Sequence, residues 1–354
     1  MVIRVRKGIR IGILASLVAC VFTGCDFEKQ TDQTESVRIG VTVYNQYDTF
    51  VSSLMEEFDR YASQKEEEDG IEIIIETYNA ADSQSNQNEQ VEKMINDGCD
   101  VICVNLVDRT EPATIIDMAE KSDTPVIFFN RELVEDDLGR WDRLYYVGAK
   151  TFESGIMQGE IAADLFKNDE EADKNKDGVW QYIVLEGEAG HQDAIIRTEY
   201  AVSTIVENGV KVEKLGYAIA NWDRAQAQTK MSHIIDQCGD SIELVIANND
   251  DMALGAIDAL KTLEIPQEEW PVIVGIDGTD VGLEAVINGE MAATVYNDKE
   301  GQAKGMLDLA CQLCISKDTG SLTLEEGKYI RLPYAKVEPG AADSFLHHES
   351  SDNK

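Results

Sequence analysis

From Val37 onward the chain alternates short apolar, β-branched runs with amphipathic stretches of helical period, almost without interruption. VRIGVTVY is followed by FVSSLMEEFDRYASQ, IEIIIETY by SNQNEQVEKMIND, and CDVICVNLV by PATIIDMAEK. Strands that are apolar at consecutive positions, not every second one, are buried on both faces, and the helices between them supply the cover. The pattern predicts an α/β fold built on parallel sheet. After VIFFN and LYYVG a second set begins at FESGIMQGEIAADLF and runs through YIVLEG, VKVEKLGYAI, IELVIAN and DMALGAIDALKTL. No Pro/Gly-rich or Ser-rich linker divides the sets, which implies two similar lobes joined by short crossovers. A chain of 354 residues with 43% hydrophobic content can fill two such cores.

The strands share an ending. VTVYNQYD stops at Asp48, VIFFN at Asn130, YIVLEGEAGHQD at Asp193, ELVIANND at Asn249 and Asp250, VIVGID at Asp277 and AATVYND at Asn297. Ligands of open α/β sheets bind outside the carboxyl ends of the strands. A row of Asp and Asn there describes a mouth for hydroxyl groups. Two aromatics punctuate polar segments nearby, Phe50 after Asp48 and Trp222 in ANWDRA, as in sites that pair the flat apolar face of a pyranose with planar polar groups. GHQDAIIR puts Asp193 and Arg197 one helical turn apart on the same face, where the planar fork of Arg can bond two hydroxyls. His191 with Asp193 could also serve as a proton-transfer pair. No Ser or Cys nucleophile sits in a recognisable elbow, and no glycine-rich phosphate loop follows the first strand.

Asp173-Lys-Asn175-Lys-Asp177-Gly178-Val179-Trp-Gln181 matches the first nine positions of an EF-hand-like calcium loop, with side-chain oxygens at positions 1, 3, 5 and 9, Gly at 6 and a backbone carbonyl at 7. Position 12 falls on Val184, so the bidentate carboxylate must come from elsewhere. The N-terminus reads as a targeting segment: Arg4, Arg6, Lys7 and Arg10 precede an apolar run from Ile11 to Val21, then Phe-Thr-Gly-Cys. This resembles a bacterial lipoprotein signal with Cys25 as the acylated residue; Leu-Val-Ala-Cys20 fits the same pattern. A formal net charge of −36 argues against nucleic acid or an anionic membrane surface as partner. Cys99 and Cys103 read as core residues. Cys311 and Cys314 read as helix residues rather than a metal or redox pair.

VRIGVTVYNQYDTF, VNLVD, VIFFNRE, YYVGAK, NKDG, GEAGHQDAIIRT, NWDRAQA, VIANNDDMALGAIDALK, VIVGIDG and TVYND together resemble, in order, the periplasmic D-galactose/D-glucose-binding family of ABC transporters. The resemblance implies a type I periplasmic-binding-protein fold: two doubly wound parallel-sheet lobes joined by a multi-crossover hinge and closing on one hexose. It places the N-terminal lobe at 37–148 and 298–332 and the C-terminal lobe at 149–297 and 333–345, flanked by a signal peptide (1–24), a polar tether (25–36) and a disordered tail (346–354) that the residues themselves indicate. It further implies that Phe50 and Trp222 sandwich the ring, that Asp48 bonds the 4-hydroxyl, and that Asn130, His191, Asp193, Arg197, Asn249, Asp277 and Asn297 bond the rest. Arg131 stands where the family has Lys, and Tyr44 lines the same mouth.

For calcium the resemblance implies Asp173, Asn175, Asp177, the Val179 carbonyl, Gln181 and, as the missing carboxylate, Glu243. The implied partners of this non-enzyme are glucose or galactose and an ABC permease, with a chemoreceptor or sensor kinase as the alternative. The protein is expected to be a monomer, lipid-anchored on the extracytoplasmic face. Asp250 alone among the strand-end residues reads as a helix cap rather than a ligand.

Overall fold

The computed structural model describes residues 36–346. The signal segment, Cys25 and the tail beyond Leu346 lie outside the described residues. Two residues assigned to flanking segments fold into the body instead: Ser36, expected in the tether, opens the first strand, and Leu346, expected in the tail, closes the last helix.

The first half runs β1 (Ser36–Val43), α1 (Thr49–Asp69), β2 (Glu72–Asn79), α2 (Gln84–Asn96), β3 (Val101–Val104), α3 (Ala113–Ser122), β4 (Val126–Phe129), α4 (Glu135–Leu138) and β5 (Leu144–Ala149). The second half follows with α5 (Thr151–Asn168), β6 (Trp180–Glu186), α6 (Gln192–Glu207), β7 (Val212–Ile219), α7 (Arg224–Cys238), β8 (Leu244–Ala247), α8 (Asp250–Thr262), β9 (Val272–Val274), α9 (Asp280–Ile287) and β10 (Thr294–Asn297). The chain then returns through α10 (Lys299–Ser316) and β11 (Tyr329–Leu332), and crosses once more into β12 (Tyr334–Val337) and α11 (Pro339–Leu346). It therefore passes between the halves at Lys150, at Asp298 and at Pro333.

Six parallel strands form the first sheet, in the order β11-β5-β4-β3-β1-β2. The second sheet repeats the plan as β7-β6-β8-β9, and parallel bridges at Val274–Ala293 and Asp277–Tyr296 bring β10 beside it. One strand departs from the parallel expectation: β12 pairs antiparallel with β10. It enters directly from β11 through Pro333, with no helix to turn the chain around.

The strands carry continuous apolar runs because each face has its own core. On one face of the first sheet Val37, Ile39, Val41 and Val43 meet Leu54 and Phe58 of α1 and Met306 of α10; on the other, Ile102, Val104 and Phe128 meet Met94, Ile115 and Ile116. Fully burying a side chain such as Leu54 or Phe58 contributes about 1.5–3 kcal/mol. The second half is built alike, with α7, α8 and α9 on one face of its sheet and α5 and α6 on the other. Cys99, Cys103 and Cys311 are buried, Cys238 and Cys314 half-buried, and all five are free thiols.

Candidate functional site

The carboxyl ends of the strands from both halves face one narrow pocket. Tyr44, Asp48, Phe50, Asn130 and Arg131 line it from the first half, and His191, Asp193, Arg197, Trp222, Asn249 and Asp277 from the second. Of the twelve residues expected at a sugar site, only Asn297 does not line it. Asn297 sits immediately behind: its backbone N–H donates to Asp277 O at 3.0 Å and its amide bonds the Asp277 carboxylate.

Local helix chemistry aims several of these groups. Asp48 caps α1, its Oδ1 accepting from Val51 N at 2.8 Å while Oδ2 accepts from the Tyr44 hydroxyl at 2.5 Å. His191 caps α6 through Nδ1, which accepts from Asp193 N at 3.1 Å, and Asn249 caps α8 through Oδ1, which accepts from Met252 N at 2.9 Å. That last contact corrects the reading of Asp250. The cap is Asn249, and the Asp250 carboxylate turns into the core, accepting from Thr279 N at 2.8 Å and from Thr294 Oγ1 at 2.6 Å. The side chain fits because Gly275 and Gly282 flank it; a Cβ on either would stand 2.2–2.3 Å from a carboxylate oxygen. Burial pushes this carboxyl up to about 7, against the pull of its hydrogen bonds.

Three lining residues hold left-handed backbone conformations: Asn130 (φ 58°), Trp222 (φ 63°) and Asp277 (φ 116°). Such conformations cost about 1–3 kcal/mol each in non-glycine residues and gather at functional sites. The Trp222 indole packs over Gly187, where a Cβ would stand 2.2 Å from Cζ2, so only glycine leaves room for the ring in this orientation. Trp222 in turn meets the His191 imidazole edge to face at 5.3 Å.

Charge in the pocket is paired, and donors are left over. Buried Arg197 donates from Nη1 to Asn248 O at 2.7 Å and stands 3.5 Å from Asp277 Oδ1. Burial disfavours both charges. For the guanidinium the carboxylates of Asp277 and Asp193 outweigh it, while Asp277 is pushed well above the usual carboxylate range. Burial and the nearby guanidinium groups of Arg131 and Arg197 lower His191 to about 4, although Asp193 pulls the other way, so its imidazole is neutral near pH 7. Because Nδ1 accepts a hydrogen bond, the proton sits on Nε2. That N–H and the Arg197 Nε–H are buried without a partner in the protein. Such donors are costly unless a ligand oxygen meets them. Carboxylates, amides, orphan N–H groups and two aromatic faces in one mouth suit a neutral polyhydroxylated solute.

Arg131 lies in the pocket wall but is heavily engaged. Its guanidinium stacks 3.6 Å from the Tyr44 ring centroid and donates to Val107 O at 2.8 Å and Glu188 Oε2 at 3.2 Å. Four supporting residues escaped sequence reasoning. Asn105 donates to Asn130 Oδ1 and accepts from Tyr44 N; a lone Asn within the buried run CDVICVNLV was its only signal. Thr151 donates to Asp193 Oδ1 at 2.9 Å, Tyr334 bonds Arg197, and Asn248 accepts from it. Nothing local in the sequence marks Thr151 and Tyr334, because crossovers bring them to the site, whereas Asn248 stands in the strand-end run ELVIANND beside Asn249.

The candidate cation loop folds as a string of Asx turns. Asp173 accepts from Gly178 N at 2.9 Å, Asn175 Oδ1 from Asp177 N at 2.8 Å, and Asp177 Oδ1 from Val179 N at 2.7 Å. Glu243, buried, reaches in from the start of β8 and accepts from Asn175 N and Gln181 N. Asp173, Asp177 and Glu243 have no ion-pair partner among the described residues. No group of three His, Cys, Asp or Glu side chains among those residues is spaced to hold a metal by itself. A cation here must also draw on the amide and carbonyl oxygens of Asn175, Gln181 and Val179, which is the hard-oxygen chemistry of calcium.

Residues 39–318 match the family described as periplasmic binding protein domain. The chain belongs to the periplasmic binding proteins. It is 35% identical over 312 residues, 87% of this chain and 92% of the relative, to the D-galactose/methyl-galactoside binding periplasmic protein MglB of Haemophilus influenzae. It is 30% identical over 87% of its length to a xylitol-binding protein of Mycolicibacterium smegmatis, of which 79% is covered. Among solved structures, an ABC transporter solute binding protein from Bacillus halodurans with bound myo-inositol superposes with a TM-score of 0.73 at 28% identity, over 89% of this chain and 99% of that one. Like these periplasmic binding proteins, the chain is a solute-binding protein that works outside the cytoplasm, and not an enzyme. No helix among the described residues is long and apolar enough to cross a membrane.

Proposed function

We propose that this protein captures a neutral hexose of the glucose/galactose kind between its halves, is held at the membrane by a lipid on Cys25, and delivers the sugar to an ABC permease. The observation that carries the sugar reading is the meeting of Trp222 and Phe50 with the orphan donors of His191 and Arg197 in one pocket. The galactose-binding relative supports the hexose; the xylitol and myo-inositol binders show that related pockets take other neutral polyols. Asp48 and Asp193, lining carboxylates with no ion-pair partner among the described residues, disfavour sugar acids. Calcium bound by Asp173, Asn175, Asp177, Val179 O, Gln181 and Glu243 is proposed as a structural element of the second half.

Titration calorimetry against D-glucose, D-galactose, xylitol and myo-inositol tests the reading. A hexose is expected to bind most tightly, and Trp222→Ala to weaken it about 10- to 100-fold, the worth of one buried aromatic face. Tighter binding of either polyol, or an unchanged Trp222→Ala isotherm, refutes the assignment.

The state of His191 predicts the pH profile. Its pKa is lowered in the fold, so the neutral ring is favoured above about 4, and protonation would set a second N–H against Asp193 N. The His191 imidazole, followed by NMR, should stay neutral from pH 8 to about 5.5 and titrate only toward pH 4, where its protonation weakens hexose binding. A midpoint near pH 6.5, the ordinary imidazole value, would show a solvated ring and sink this account.

A further inference from the structure

Two side-chain contacts join the halves across the pocket mouth, away from the crossovers at Lys150, Asp298 and Pro333. Thr49 Oγ1 donates to Asp251 Oδ2 at 2.6 Å, and Arg131 Nη2 donates to Glu188 Oε2 at 3.2 Å. Each contact sits beside the residues that line the pocket. Thr49 follows Asp48, Asp251 lies in the first turn of α8 just after the lining residue Asn249, and Glu188 precedes His191 by three positions. Thr49, Asp251 and Glu188 do not themselves line it.

The first-half partners are set before the halves meet. Thr49 opens α1 beside the Asp48 cap, and the Arg131 guanidinium is fixed by the Tyr44 ring and the Leu106 and Val107 carbonyls, all from its own half. Glu188, on the short β6–α6 connection, is half-exposed, and Asp251 is carried by α8. Each pair therefore forms when the second half docks on the first, and neither consumes a donor or acceptor that the pocket presents to a solute, apart from one arm of Arg131.

We propose that Thr49–Asp251 and Arg131–Glu188 are a two-point latch that holds the halves together over the bound solute and sets how fast it leaves. Contacts that exist only in the closed form multiply the affinity of every solute by the same factor, because they act on the population of the binding-competent state and not on the solute. A residue that touches the solute changes one affinity more than another. The latch thus adjusts retention without altering selectivity, and it reassigns Arg131 from a hydroxyl donor to a clamp. The sugar reading enters only in the choice of probes.

Stopped-flow release of D-glucose and D-galactose from the wild type, Thr49→Val, Thr49→Ser and Glu188→Gln provides the test, with small-angle scattering of each protein without sugar. Thr49→Val is expected to speed release of both sugars about tenfold, the worth of one hydrogen bond to a charged acceptor, and Thr49→Ser to restore it. Glu188→Gln is expected to speed both by about two- to fivefold, as suits a half-exposed ion pair. The glucose-to-galactose ratio should stay constant, and the ligand-free Thr49→Val and Glu188→Gln proteins should show a larger radius of gyration than the wild type. Wild-type release rates with an unchanged radius of gyration, or a changed sugar ratio, overturn the latch. If the wild type binds neither sugar, the hexose reading fails, and the scattering comparison alone decides the latch.

Discussion

Arg197→Met should remove hexose binding and lower the unfolding free energy by about 3–5 kcal/mol, the usual cost of breaking a buried pair by deleting one partner. The guanidinium is fully enclosed, stands 3.5 Å from Asp277 and holds Asn248 O. Without it, Asp277 keeps the amide of Asn297 but loses its cation, in a backbone conformation (φ 116°) that is already costly. Chemical denaturation and calorimetry separate the two consequences. The double variant Arg197→Met/Asp277→Asn should regain most of the stability, because both charges are gone, and none of the binding, because the orphan Nε–H is gone too. A single variant that binds sugar normally would show that Arg197 serves only the fold. One that keeps wild-type stability would show that Asp277 takes up a proton when the guanidinium is removed, leaving no buried charge unpaired.

Calcium removal should be the second large effect. If the loop 173–181 and Glu243 bind the ion only in the folded protein, a free concentration a hundredfold above Kd contributes about 2.7 kcal/mol of stability. Excess EDTA should then lower Tm by about 4 °C for a chain of this size, and added calcium should restore it. Glu243→Gln should abolish the response by replacing the one carboxylate that reaches in from β8. Its loss also weakens the contacts to Asn175 N and Gln181 N, so the readout is the difference with and without EDTA, not Tm itself. An EDTA-insensitive wild type would mean that the Asx turns and uncompensated carboxylates are merely a well-hydrogen-bonded surface turn.

Much of the architecture was legible because it follows from periodicity. Continuous apolar strands such as VRIGVTV and YIVLE demand cover on both faces, and two sets of them demand two sheets. The site was legible because an α/β sheet delivers its strand ends to one edge: Asp48, Asn130, Asn249 and Asp277 each end a strand run, and the fold had only to bring two such edges together. Asp250 was misread because, next to Asn249, a carboxylate at a helix start resembles a cap. Which of two neighbours caps is decided by the packing of Gly275 and Gly282, which makes room for the buried side chain.

The sequence by itself therefore determined the fold class, the strand-end chemistry, the two aromatics and the loop that pairs Asp173 with Asp177. All of these are local patterns with short-range causes. Only the tertiary structure decided what depends on distant segments meeting. It placed Tyr334 and Thr151 behind Arg197 and Asp193, turned β12 antiparallel through Pro333, and left His191 Nε2 and Arg197 Nε without partners. It also spent Arg131 on Tyr44 and Glu188, and set Thr49 against Asp251. Such contacts join residues up to 202 positions apart, and no local pattern encodes which of many possible partners packing will select.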